Sequence, residues 1–490
     1  MARDKIIERV FEELSSILGR RVSRDPVDLG LHAIDASSYY FIPKDLSERY
    51  VLAVPKNAEE VSEIVKIAGK HGVSVIPQGS STDLSMGSGS ISLTTANQIY
   101  MLERGIILHT GMMSGIEEIS ETDRVAVVEP GVRIDSLNEA LAETDLFFPV
   151  DPASARAASV GGAIATGAGG LRGAKYGTMR DWVLGLEFVD GLGRIHRTGC
   201  RTVKCRQGYD ITRLMVGSEG TLGVITKAVL KLWPRPAAIS RLMAVFNDFT
   251  GLYRFFLGVR RGRVPLIAEY MENRVAEKVI RTLGLGIPAG HTLILDLEAG
   301  SDEEAEKLLK TLEKDAKDAG AFYTATATDR DRSFEEIYRF RRSMYAGMVK
   351  MKLKRHIIFE DTAVPISKLP EFVRRVRDIE GKYGREIALG GHLGDGNLHP
   401  HIECDLEDPE DRSLALKIAK EIVIEALKLG GTSSSEHGIG SMKLELLLIE
   451  LRNKGSEHTL DLMINIKKAF DPKWILNPGR VIPTEPGRKI

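Results

Sequence analysis

Two short stretches constrain this chain more than any others. Gly390-Gly391-His392-Leu393-Gly394-Asp395-Gly396-Asn397-Leu398-His399 and Ser435-Glu436-His437-Gly438-Ile439-Gly440 together hold three histidines and a glutamate. The glycines around them lack a Cβ, so backbone and side chains can crowd one point. His392 and His399 flank a Gly-Asp-Gly turn, and a hairpin there would bring both imidazoles together from two sides. Neutral imidazoles with one carboxylate suit a catalytic, zinc-like ion that keeps a coordination position open. A further histidine beside such ligands is what proton abstraction needs.

With 490 residues the chain exceeds the size at which one core keeps growing, so two or more domains are expected. Lys+Arg 67 against Asp+Glu 68 leaves a net charge of −1. No polybasic block breaks that balance, which argues against nucleic acid as a partner. Cys200, Cys205 and Cys404 are too few and too scattered for a disulfide framework, and they lack iron–sulfur spacing. The first residues contain acids and no long apolar run, so no signal peptide is expected. No apolar stretch approaches the ~20 residues of a spanning helix. These features describe a cytoplasmic protein, with peripheral association at the inner face of a membrane left open.

Residues 1–45 read as a helical lead-in. Asn57 caps a helix through Gly72, and Val73–Ile76 follows as a strand. That strand enters the loop Pro77-Gln-Gly-Ser-Ser-Thr-Asp-Leu-Ser-Met-Gly-Ser-Gly-Ser90. Further strands are expected at 105–109, 125–128, 183–189 and 224–232, with prolines 234 and 236 closing the section. From about 238 the texture changes to amphipathic helices alternating with strands. Ser301 is the N-cap of one helix, with Glu304 completing a capping box and Gly320 at its end. Two β-α-β units, around 292–328 and 356–389, suggest a sheet with helices on one face. Asn477-Pro-Gly479 is turn chemistry that would bring the tail back to the first domain.

The 77–90 loop follows a strand, and its amides and hydroxyls could cradle a pyrophosphate. Read alone, it could equally be a surface turn. It lacks both the Gly-x-Gly-x-x-Gly fingerprint and the Gly-x-x-x-x-Gly-Lys-Ser/Thr loop, which disfavours an NAD site and an ATP-type site. Gly161-Gly162-Ala163-Ile-Ala-Thr-Gly-Ala-Gly-Gly170 is denser. Its small residues serve either close strand–helix packing or close approach to a flat ligand.

An ordered set of motifs runs along the chain. Pro77-x-Gly79, Glu129-Pro-Gly131, Pro149-Val-Asp151-Pro-Ala-Ser154 and Gly161-Gly162 come first. Ala168-Gly-Gly170, Lys175-Tyr-Gly177, Gly208-Tyr-Asp210 and Gly217-Ser-Glu-Gly-Thr-Leu-Gly223 follow. His392-Leu-Gly-Asp-Gly-Asn-Leu-His399, Glu436-His-Gly-Ile-Gly440 and Asn477-Pro-Gly479 complete it. In this the chain resembles the FAD-linked oxidases of the vanillyl-alcohol oxidase and p-cresol methylhydroxylase (PCMH) type. It is most similar to the branch holding D-lactate dehydrogenases, D-2-hydroxyglutarate dehydrogenases and the flavin subunit of glycolate oxidase.

The resemblance implies an α+β fold: a two-part PCMH-type FAD-binding domain, and a substrate (cap) domain with an antiparallel sheet flanked by helices. The expected boundaries are 46–237 for the first, 238–440 for the second with its metal site, and 441–490 for a segment returning to the FAD domain. It sets Pro77, Gln78, Gly79, Ser80, Ser81 and Thr82, with Gly161, Gly162, Thr166 and Gly170, against the FAD pyrophosphate. Asp151, Ser154, Tyr176, Glu219 and Ile225 fall on motifs lining the flavin and adenosine, and Gly177, Gly223 and Asn477 join the cofactor-binding set. Ser81 and Met86 stand where the family usually has glycine, and Gly167 where it usually has asparagine. No histidine lies in 77–90, so non-covalent FAD is expected.

By the same resemblance His392, His399 and Glu436 are metal ligands and His437 is the catalytic base. Arg341 binds the substrate carboxylate in preference to Arg342, and Asn397 holds the substrate or the ligand loop. His401, on the same face as His399, is a bystander. The implied reaction is FAD-dependent, metal-assisted oxidation of a small D-2-hydroxy acid, such as D-lactate, to the 2-oxo acid. The ion would be zinc, with manganese or iron as alternatives. Electrons would then leave to a separate acceptor: an iron–sulfur subunit, an electron-transfer flavoprotein, a quinone or a cytochrome. Two rivals are the flavin subunit of a multi-subunit glycolate oxidase and a non-redox transferase resembling alkyl-glycerone-phosphate synthases. The latter carry a run of consecutive histidines that is not visible here.

Overall fold

The computed structural model describes residues 2–37, 45–88, 91–93, 99–101, 104–344, 356–405 and 408–483. Positions 38–44 of the expected lead-in and 89–90 of the glycine-rich loop lie outside the described residues. The chain forms two compact units. The first comprises Met1–Gly169, Thr178–Pro234 and Glu436–Ile490; the second comprises Gly170–Gly177 and Arg235–Ser435.

In the first unit Val22–Ser23 (β1), Tyr50–Ala53 (β2), Ser74–Gln78 (β3) and Gly105–His109 (β4) form a sheet in the order β1-β2-β4-β3. All pairs are parallel except β1 with β2. Parallel strands are usually buried on both faces and so read as near-continuous apolar runs. Here Val51, Val75, Ile106 and Leu108 meet helices α1 (Ala2–Leu18) and α2 (Ala58–His71), while Tyr50, Leu52, Ile76 and Ile107 face Leu29 and Leu46. The N-terminal helix is therefore part of this core, through Ile7, Val10, Leu14 and Leu18. Asn57 accepts the Glu60 amide at 2.9 Å to start α2, and Gly72 ends it at φ 64°.

A second, antiparallel sheet is made by Ile116–Ser120 (β5), Val125–Val128 (β6), Val183–Val189 (β7), Ile195–Gly199 (β8) and Val224–Lys231 (β9), in the order β8-β7-β9-β6-β5. The tail packs in this unit: Trp474, Ile475 and Leu476 are buried, and Leu476 bridges to Val75. Cysteine usage departs from expectation. Cys200 and Cys205, five positions apart with Cα atoms 5.9 Å from each other, form a disulfide, while Cys404 is free and buried. The short separation makes a single loop-closing bridge, which a search for a framework overlooks.

The second unit is built on one eight-stranded antiparallel sheet. Its strands are Ala238–Phe246 (β10), Ile267–Met271 (β11), His291–Ala299 (β12), Ala321–Thr328 (β13), His356–Phe359 (β14), Thr362–Ala363 (β15), Ile387–His392 (β16) and Asn397–Cys404 (β17). The order is β13-β10-β12-β11-β16-β17-β14, with β15 also pairing β17. Each expected β-α-β unit is split: β10 lies between β12 and β13, and β17 between β14 and β16. Helices cover both faces, not one. Phe249–Arg260, Asp302–Asp318, Leu369–Tyr383 and Pro409–Lys428 bury a large apolar core with Leu242, Leu293, Leu295 and Leu389. Asn273–Leu283 and Arg332–Arg342 pack on the opposite face, against Met243, Met271, Ile294 and Ala388. Ser301 caps its helix as expected, but Glu304 completes no reciprocal box: its carboxylate accepts the amide of Gly300, one residue earlier, at 2.8 Å. No helix among the described residues is long and apolar enough to cross a membrane.

Candidate active site

In the first unit β3 delivers the chain into the 77–88 loop, which borders a cleft. Pro77, Gln78, Gly79, Ser80, Ser81 and Thr82 line it, with Ser154, Gly161, Gly162, Thr166, Glu219, Gly223 and Ile225. Glu436 and His437 line the same cleft. Asp151, Gly170, Tyr176, Gly177 and Asn477 do not. Tyr176 belongs to the second unit, where its hydroxyl donates to Glu298; burial, then that carboxylate, pushes its pKa above the usual range. Asn477 instead ties backbone together, donating from Nδ2 to the carbonyls of Gly87 and Glu219 at 2.8 and 2.7 Å.

The glycines are required by packing as well as by the cleft. A Cβ on Gly79 would lie 2.3 Å from Ser159 Oγ, and one on Gly161 2.5 Å from Pro130 Cβ. Ser81 and Met86, the two positions where glycine is usual, both adopt left-handed backbone, at φ 53° and 56°. Gly167 is the αL cap of the Val160–Thr166 helix, a place that glycine and asparagine both fill. Asp83 also lines the cleft. Burial, and then neighbouring Asp35, hold its carboxyl well above the usual range. The lining thus fits FAD.

His437 is mostly buried, its Nε2 3.5 Å from Glu436 Oε1. Glu219 accepts the amides of Ile439 and Gly440, both at 2.7 Å. Burial raises its pKa to about 7, against the pull of those amides and of Arg480 and Lys443.

In the second unit β16 and β17 form the predicted hairpin, and its register explains the glycines. His399 lies opposite Gly390 and His401 opposite Ala388, so each ring faces a small residue. The His392 and His399 rings stand edge to face, 5.3 Å apart. His392 donates from Nδ1 to Glu269 Oε1 at 2.6 Å, and His399 from Nδ1 to the Glu360 carbonyl at 3.2 Å. Both rings are thereby set as Nδ1–H tautomers with the lone pair on Nε2, the form that ligates a metal. His401 is buried, and its pKa falls well below the usual value because of burial, His399 and Arg341.

Arg341 is buried and donates from Nε to Glu269 Oε2 at 2.6 Å, whereas Arg342 stacks over Tyr338. Burial pushes the Glu269 carboxyl up, but Arg341 and His392 outweigh it and hold its pKa below the ordinary value. Asn397 spends its amide hydrogens on Asp361 Oδ1 and the Thr362 carbonyl, which places it in the framework of the 392–399 turn. Asp361 Oδ2 accepts Ser434 Oγ and the Ser435 amide, at 3.0 and 2.9 Å. Glu269 and Asp361 escaped the sequence reading. The signal was there: Glu269 is the sole charge in Ile-Ala-Glu-Tyr-Met, and an acid within a buried strand needs a partner.

Comparison with known proteins identifies the family. Residues 235–481 match the family described as FAD linked oxidases, C-terminal domain, and residues 50–199 match the FAD binding domain. The chain is 34% identical to the glycolate oxidase subunit GlcD of Bacillus subtilis, over 92% of this chain and 93% of that one. It is 36% identical to a D-lactate dehydrogenase of Archaeoglobus fulgidus, over 89% and 92%. Among solved structures p-cresol methylhydroxylase superposes with a TM-score of 0.76 at 17% identity, covering 99% and 98%, which shows the fold. The chain therefore belongs to the FAD-linked oxidases, as an FAD-dependent oxidoreductase of the D-lactate dehydrogenase and glycolate oxidase type.

Proposed function

We propose that the chain oxidises a small D-2-hydroxy acid to the 2-oxo acid. The observation that carries this reading is the presence of His437 on the lining of the same cleft as the glycine-rich loops. FAD would be held non-covalently by that cleft, and a divalent ion, zinc or alternatively manganese or iron, by His392, His399 and Glu436. When bound, they supply a hydride acceptor at flavin N5 and Lewis acidity toward the substrate's oxygens.

The chain's own residues do the rest. The substrate's hydroxyl proton passes to the His437 imidazole. Arg341 would meet the substrate carboxylate with its terminal amino groups, since its Nε is committed to Glu269. Glu269 orients His392 and Arg341 together. Replacing His437 by Ala is expected to leave FAD bound and to slow anaerobic flavin reduction by about 10²–10⁴-fold. Near-normal reduction in that variant would remove His437 from the role of base.

A second reading has support of its own. Two of the three cysteines are joined to each other, so this chain offers no iron–sulfur ligand set, and electrons must leave through another carrier. As the flavin subunit of a larger oxidase, the purified chain would turn over with an artificial dye and not with an electron-transfer flavoprotein, a quinone or a cytochrome.

A further inference from the structure

Glu219 has a left-handed backbone, with φ 50°, an unfavourable conformation for an L residue that persists only where the surroundings demand it. Its carboxylate is buried, and both oxygens are used: Oε1 accepts from the Ile439 amide and Oε2 from the Gly440 amide, each at 2.7 Å. Those amides lie two and three residues beyond His437. The segment is shaped to receive them. A Cβ on Gly438 would stand 2.7 Å from Glu219 Oε1, and one on Gly440 1.8 Å from the Ser85 carbonyl.

Other bonds hold Glu219 in turn. Its amide donates to the Ala165 carbonyl at 2.7 Å, and its carbonyl accepts Asn477 Nδ2 at 2.7 Å. Val481 closes the knot by donating its amide to the Gly440 carbonyl at 3.1 Å. Met86, Asn477 and Val481 share the left-handed backbone. Glu219, Asn477 and Val481 thus belong to one hydrogen-bonded set with the Ile439–Gly440 backbone, which describes a seat for the 436–440 segment.

The geometry points to Glu219 as a positioning residue whose carboxylate holds the His437 segment against the flavin cleft through two backbone amides and does not itself hold the cofactor. This rests on the reading of His437 as the base. A misplacement of about 1 Å in such a group can slow a reaction 10²-fold without touching the binding of its ligands.

The test is anaerobic stopped-flow reduction of the FAD-loaded protein. D-lactate, or whichever 2-hydroxy acid reduces the parent protein, serves as probe. Glu219→Gln keeps the shape but points an NH2 group at one of the two amides. It is expected to retain FAD and to keep the substrate's apparent Kd within twofold, while the limiting reduction rate falls about 10- to 100-fold. A limiting rate within twofold of the parent, with His437→Ala inactive, would overturn the positioning role and leave the base assignment standing. If His437→Ala also reduces at the parent rate, the base reading fails and this inference with it. If Glu219→Gln is recovered without FAD, Gly438→Ala decides. A slowed rate with FAD retained supports the role; a parent-like rate, or loss of FAD there too, overturns it.

Discussion

At Glu269 two demands meet. A carboxylate removed wholly from water must be compensated, and His392 needs its proton on Nδ1. Arg341 and His392 answer both, one on each oxygen. A glutamine there would keep the shape but lose the charge that makes the imidazole more basic, so Glu269→Gln is expected to weaken divalent-metal affinity by about 10–100-fold. Equilibrium dialysis of the purified variant against zinc measures this directly. Affinity within twofold of the parent would deny Glu269 that part. His392 and His399 were legible because seven residues and a glycine turn relate them locally. Glu269 was not, because its partners lie 72 and 123 positions away and only strand pairing brings them beside it.

Among the elements, the β16–β17 hairpin matters most. Its strands and turn were readable because glycine, aspartate and alternating apolar residues spell them out. The sheet around it was less so: both of its β-α-β units enclose a strand from elsewhere in the chain, a pairing that no local pattern records. The expectation of helices on one face failed for a related reason. The second face carries Arg241, Asp296 and Glu269 as well as apolar side chains, so its strands lack clean alternation. Gly391 tests the hairpin. It has φ 141°, and a Cβ there would lie 2.7 Å from the Asn397 carbonyl and 3.0 Å from His399 Cδ2. Gly391→Ala is expected to destabilise the protein by about 1–3 kcal/mol in denaturant unfolding and to weaken metal binding. A variant of parental stability would show that the hairpin tolerates the added group.

Across the whole molecule, the first unit is assembled from three stretches of chain. Its core draws on Ile475 and Leu476 as well as on the N-terminal helix, and Asn477 ties Gly87 to Glu219. Residues 1–234 expressed alone are therefore expected to be recovered without flavin; a yellow, stable fragment would contradict that. Motif order was enough to read the family and the cleft's glycine loops. The resemblance placed Gly170, Tyr176 and Gly177 with the cofactor, and in the structure residues 170–177 belong to the second unit.

The central claim is best tested on the purified protein under anaerobic conditions. Flavin absorbance would be followed after adding D-lactate, L-lactate, glycolate and D-2-hydroxyglutarate, before and after treatment with a chelator. Bleaching by a D-2-hydroxy acid, abolished by the chelator and restored by zinc or manganese, is the expected result. A bound flavin that none of these acids reduces would contradict the proposed reaction, and reduction indifferent to the chelator would contradict the metal's part in it.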